Sequence, residues 1–342
     1  MVNLKFTLPL TAAILSACLS CQSENSSNSK ILSDEKVCFG DIYFYGRDDL
    51  DCEIVTGNLD IPYSDITDLS GLKMLRVVEG ALSIQGTNVL KNLDGLENLT
   101  SVGSLRILDN SSLVDITSLE NLIEIKRNLL IMNNSSLVQL SGLEKVHSVE
   151  ETVAIWGNDS LTSLEGLNNL TSVGGHFYIN ENFALRSVAG LEKLVSIGGG
   201  ISQPEGFLDI SDNNSLTDLA GLRNLTTIAG NLYISFNDSL SSLVGFQKLI
   251  STGGLSFSKN RALSSIRELK QLSSIGDGDL YIRANKTLTS LEGLENIKIT
   301  NDLEIEDNSE LVDIKAIRKI KINGEIRFEE NGIKKPIWLW RL

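Results

Sequence analysis

The 342-residue sequence predicts a mainly β solenoid of about twelve coils, each 23–25 residues long, and three observations carry that expectation. The first is a period. Aligned on one apolar residue per unit, the chain gives Ile61, Ile84, Ile107, Ile131, Ile155, Ile179, Ile210, Ile234, Phe257, Ile282, Ile305 and Phe328, at intervals of 23 to 25 residues with a single interval of 31. Self-similarity at this period marks stacked repeats, each too small to bury its own apolar side. The second is an asparagine three residues later in ten units: Asn110, Asn134, Asn158, Asn182, Asn213, Asn237, Asn260, Asn285, Asn308 and Asn331. A carboxamide donates and accepts at once, so stacked asparagines can satisfy the backbone of a bend and tie it to the next coil. The third is a run of apolar residues at every third position, as in Leu113, Ile116, Leu119, Leu122 and Ile125. That spacing suits neither an amphipathic helix nor a flat strand, and predicts short extended pieces and turns around a prism.

Taken from the N-terminus, residues 1–17 read as a secretory signal: Lys5, an apolar run from Phe6 to Leu15, then Ser16 and Ala17. The run is too short to span a bilayer. Leu15-Ser16-Ala17-Cys18 resembles the lipobox of bacterial lipoproteins, which implies lipidation of Cys18, with ordinary signal cleavage as the alternative. Cys21 has no evident partner. Residues 18–37 are polar and rich in Ser and Asn, as expected of a flexible tether.

Cys38 and Cys52 open the patterned region, in a compartment that permits disulfides; a bridge between them would clamp the open end of the stack within an N-cap over 38–56, with Phe39, Tyr43 and Tyr45 as its apolar cover. Within each coil an alternating pair such as Leu105-x-Ile107 reads as a short strand with one face inward. Glycines before the third leucine, Gly95, Gly142, Gly166, Gly190, Gly221 and Gly293, mark a corner with unusual dihedrals. The interval of 31 residues places a loop near 200–206, and residues 332–342, with Trp338 and Trp340, close the far end as a C-cap.

The L-x-x-V-x-x-L-x-I-x-x-N run looks like a leucine-rich repeat, but the next leucine comes three residues after the asparagine, as in Asn110-Ser111-Ser112-Leu113. That spacing, the GLxxLxxVxG segments and the leading cysteine resemble the receptor L domain, a family whose members fold as a right-handed β-helix. The resemblance covers roughly 38–331 and implies a broad sheet face that contacts ligand. Twelve units is about twice what one such domain carries, which leaves open one continuous solenoid or two fused domains.

Composition excludes some partners. With 30 Lys and Arg against 44 Asp and Glu, the net charge of −14 repels phosphate backbones, so nucleic acid is not expected. His147 and His176 lie at no metal-ligand spacing, and no phosphate loop or nucleophile motif occurs, so neither a metal nor a cofactor is expected.

The outward strand positions form two columns. In them Leu108, Leu130, Met132 and Trp156, flanked by Arg106 and Tyr178, are expected to point to solvent as one apolar patch, with Tyr233, Phe236 and Tyr281 as a second aromatic group. The expected function is a lipid-anchored binding or adhesion protein of the bacterial envelope, with no enzymatic activity, that recognises a protein or glycan at the cell surface through Arg106, Leu108, Leu130, Met132, Trp156, Tyr178, Tyr233 and Tyr281. Two alternatives remain open: a glycan-cleaving β-helix enzyme using Glu304, Glu306 and Glu329, and a purely structural envelope protein.

Overall fold

A computed structural model describes residues 29–32 and 35–336. The signal, Cys18, Cys21, Trp338 and Trp340 lie outside the described residues.

One strand per coil stacks in parallel and in register to make the main sheet. Ile61, Ile84, Ile107, Ile131, Ile155 and Ile179 are direct neighbours, and the series continues through Ile210, Ile234, Phe257, Ile282 and Ile305 to Phe328. Twelve strands therefore enclose about eleven turns. A second side carries two-residue parallel strands, such as Ser148–Val149 against Ser172–Val173 and Ser172–Val173 against Ser196–Ile197. No α-helix occurs among the described residues; single 3-10 turns such as Thr117–Leu119 and Ala220–Leu222 lie on the remaining side.

The spacing of three has a local cause. Leu113, Leu119 and Leu122 each donate their N–H to the carbonyl three residues back, at 3.1, 3.0 and 2.8 Å. Successive tight turns thus return a side chain to the interior every third residue, and all three leucines are fully buried in one continuous core.

The asparagines form the expected ladder. Nine of them, Asn110 to Asn308, are fully buried, and Asn331 at the end is half-buried. Thr87 starts the ladder in place of an asparagine, with its N–H and hydroxyl on Oδ1 of Asn110. Asn134 is typical: Nδ2 donates to the carbonyls of Ile107 on the previous coil and Met132 on its own.

The residue just before this ladder is left-handed in every coil from Asp109 onward. Asp109, Asn133, Glu181, Asp212, Phe236, Lys259, Ala284, Asp307 and Glu330 have φ of 53–59°, and glycine fills the place at Gly86 and Gly157. A left-handed non-glycine costs roughly 1–2 kcal/mol, so the ladder bonds hold a strained corner.

Several expectations need correction. Gly221 sits inside a 3-10 turn without positive φ, whereas Gly245, unnoticed in the sequence, has φ +129° at the predicted corner. Both glycines are needed for closeness: a Cβ would lie 2.0 Å from Val188 O at Gly221 and 2.0 Å from Leu219 O at Gly245. The tether is not unstructured throughout, because Ser29–Leu32 and Glu35–Cys38 pair antiparallel. At the N-cap, Phe39, Tyr43 and Tyr45 are exposed, and the side chain that seals the core is Phe44. Cys38 and Cys52 are disulfide-bonded, with Cα atoms 5.8 Å apart.

A further ladder escaped the sequence reading. On an exposed corner, Asn121, Asn169 and Asn224 donate to carbonyls of the preceding coils, and Lys145, Lys193 and Lys248 bond back to those asparagines at 2.5–2.8 Å.

Candidate functional site

Strand alternation turns every second side chain of the main sheet away from the core. Parallel register lines these up, so Arg106, Leu130, Ala154, Tyr178, Asp209 and Tyr233 follow one another along one column. Leu108, Met132, Trp156, Asn180 and Ser211 form the next.

Around coils three to seven these columns carry a second apolar cluster, separate from the interior. Leu130, Ala154 and Tyr178 are its buried centre, and Leu108, Met132, Trp156 and Phe207 pack against it half-buried. Leu130 and Tyr178 were expected to stand in solvent; they are 5% and 8% exposed. They do face outward, but strands stacked at about 4.8 Å bring outward neighbours into contact, so large side chains cover one another.

The rings form a connected series. Trp156 and Tyr178 have centroids 6.4 Å apart, Tyr178 and Phe207 meet edge to face at 5.1 Å, and Phe207 and Tyr233 do so at 5.6 Å. His176 lies 4.1 Å from the Phe207 ring and accepts the Phe207 N–H on Nδ1 at 3.3 Å. Burial lowers its pKa. Burial also pushes the Tyr178 hydroxyl up to about 12, with Asp209 adding to the effect.

Phe207 and His176 belong to a third outward column that the sequence reading passed over. Main-chain bonds continue the parallel ladder one residue further: Leu129 N to Thr152 O, Val153 N to His176 O and Phe177 N to Phe207 O. The 31-residue interval hid this, because Phe207 ends the inserted loop instead of standing 24 residues after His176. The same loop folds Gln203 back, so that Thr152 Oγ1 donates to Gln203 Oε1 at 3.0 Å and His176 N does so at 3.3 Å. The loop rims the cluster while Ile201 stands fully exposed at its tip.

Polar groups flank both ends of the cluster. Asp209 accepts from Asn180 Nδ2 at 3.1 Å and from Ser211 Oγ, and burial raises its pKa. Arg106 is half-buried, and its Nε has no hydrogen-bond partner.

Other named residues stand apart. Tyr233 joins the cluster through Phe207, but Tyr281 does not; its hydroxyl donates to Asp279 at 2.9 Å. Phe236 occupies the left-handed corner, with Lys259 Nζ 4.4 Å from its ring centroid. Glu304 lies within 3.9 Å of Arg283 and 3.8 Å of Arg327, and Glu306 within 3.7 Å of Arg283. Desolvation, then Glu304, raises the Glu306 pKa. Among the described residues no group of three or more His, Cys, Asp or Glu is placed to hold a metal, and no helix is long and apolar enough to cross a membrane.

Residues 51–138 match the family model of the Receptor L domain. No curated protein matches. Among solved structures, the chain is similar to one described as a crystal structure of a TLR13–ssRNA13 complex, at 15% identity and a TM-score of 0.35. The likeness covers 84% of this chain and 48% of that one, so the chain spans about half the length of that neighbour. The receptor L domain match and the solenoid together suggest a ligand-binding role.

Proposed function

We propose that this chain is a binding or adhesion protein of the bacterial envelope, anchored by lipid on Cys18, that holds a protein or glycan against the outer face of its sheet. The main support is the outer apolar cluster centred on Leu130, Ala154 and Tyr178. It adds nothing to the interior, which is already continuous from Phe44 to Phe328, and half-exposed Trp, Met and Leu beside an arginine are favoured where partners dock. The receptor L domain match over 51–138 includes Arg106, Leu108, Leu130 and Met132 and so supports a docking face there.

The chain acts without catalysis in this reading. Two carboxylates near one another, as Glu304 and Glu306 are, could serve acid–base chemistry on a glycan, and the raised Glu306 pKa favours that alternative. Arg283 and Arg327 pair with these carboxylates, which makes a mutually neutralised charged face the stronger interpretation.

The test is capture of surface components from native cells by the wild-type protein and by variants lacking the Leu108, Met132 or Trp156 side chain. Saturable binding lost in Trp156→Ala, with thermal unfolding little changed, supports the reading. Equal capture by all variants overturns it, and release of new reducing ends from a glycan panel, abolished by Glu306→Gln, would support the enzyme. Incorporation of labelled palmitate that disappears in Cys18→Ser checks the anchor.

A further inference from the structure

We infer that Arg106 is the anion-receiving anchor of the outer face, and that the occupant is an extended protein segment placing one carboxylate on Arg106 and apolar side chains on Leu108, Met132 and Trp156. This deepens the binding reading above and rests on it.

Arg106 has no ion-pair partner within 4 Å among the described residues. Its Nε is buried with no hydrogen-bond partner. The acid of its own column, Asp60, stands two coils away; it is bonded to the intervening Ser83 and feels the Arg106 charge only at long range, without pairing with it. By contrast, Arg283 and Arg327, in the same two columns at the far end, each lie between two carboxylates. With Nε covered and the guanidinium half-buried beside Leu130 and Leu108, its terminal nitrogens are the groups left to meet an arriving carboxylate, which would add charge-assisted hydrogen bonds there.

The surroundings select the occupant. A net charge of −14 repels a polyanion at long range, so the face suits a single acid within an otherwise apolar segment. The cluster is aliphatic and thioether as much as aromatic. Sugar hydroxyls would be left unpaired against Leu108, Leu130 and Met132, whereas apolar side chains fit such a surface and methionine adapts to them.

The far end adds a direction. Asp209 stands four coils from Arg106 along the same column. At about 4.8 Å per coil the two are roughly 19 Å apart, which an extended segment of about six residues spans. Such a segment carries its acid at one end, apolar residues between, and a hydrogen-bond donor over Asp209.

The experiment selects a phage-displayed random peptide library on the folded protein, then measures the enriched peptides, and in parallel a panel of uronic-acid oligosaccharides, on wild type, Arg106→Gln, Arg106→Lys and Trp156→Ala, each verified by thermal unfolding. Enriched peptides should carry Asp or Glu beside large apolar residues. They should lose about tenfold or more in affinity on Arg106→Gln, the equivalent of one charge-assisted hydrogen bond, recover part of it on Arg106→Lys, and fail on Trp156→Ala. Peptides that need Trp156 but bind Arg106→Gln unchanged overturn the anchor and leave the docking reading standing. Absence of any Trp156-dependent peptide, together with Arg106-dependent binding to uronic-acid glycans, overturns the choice of a protein. Absence of both overturns the docking reading itself.

Discussion

Asn134 places both its backbone N–H and its side-chain Nδ2 on one oxygen, Oδ1 of Asn158 on the next coil, at 3.1 and 3.3 Å. Asn158 in turn donates to the carbonyls of Ile131 and Trp156. One fully buried side chain therefore bonds main-chain groups on two consecutive coils.

Asn158→Ala should leave the Asn134 N–H buried without a partner and remove one of the donors to the Ile131 and Trp156 carbonyls, which keep their ladder bonds. A buried orphaned group costs about 1–3 kcal/mol, so a loss of about 2 kcal/mol is expected in urea unfolding. Asn158→Asp should be similarly damaging, because a carboxylate accepts but cannot donate to those carbonyls. A loss under about 1 kcal/mol would mean that the ladder only accompanies the corner.

The left-handed corner gives a prediction of opposite sign. Ala284 has φ +57°, a conformation costing about 1–2 kcal/mol for a residue with a Cβ. Ala284→Gly removes that strain and loses about 0.4–1 kcal/mol through the more flexible unfolded chain. A net gain of roughly 0.5 kcal/mol should appear as a higher urea midpoint with unchanged slope.

Leu129 and Leu130 test inside against outside with one residue type. Leu129 belongs to the interior and Leu130 to the outer cluster. Leu129→Ala should cost about 3–5 kcal/mol by cavity formation. Leu130→Ala should cost about half as much, because water and the neighbouring Met132 and Trp156 side chains can fill the space. Equal losses in thermal unfolding would contradict the two-cluster description.

His176 makes the rim of the cluster sensitive to acid. Burial lowers its pKa from 6.5 in the folded chain, so the unfolded chain takes up a proton first as pH falls. Its stabilising contribution is complete above about pH 6.5 and is lost progressively as pH falls toward the lowered value. Protonation also removes the Nδ1 acceptor of the Phe207 N–H. The ring should titrate below 6.5 by NMR. Melting temperature should fall more between pH 7 and 5 for wild type than for His176→Gln, a comparison in which the carboxylates cancel.

Much of this architecture was legible along the chain. Inward residues such as Ile107 and Ile131, the buried asparagines and the outward columns all follow from one period, because parallel stacking in register converts a sequence interval into a spatial neighbour. The left-handed corner was less visible: Glu181, Phe236 and Lys259 carry no signal of positive φ, since the ladder bonds that impose it come from adjacent coils. Phe207 was hidden by the loop that displaces it in sequence but returns it beside His176.

The sequence by itself determined which residues face inward, which share a column and where the insertion falls, because strand alternation and the coil period are local rules repeated many times. Only the tertiary structure decided that Leu130 and Tyr178 are covered, that Phe207 connects Tyr178 to Tyr233, and that Arg106 is left without a close ion pair. Those are properties of side chains from several coils acting together, and burial or pairing of that kind depends on where neighbouring side chains come to rest, which no single repeat specifies.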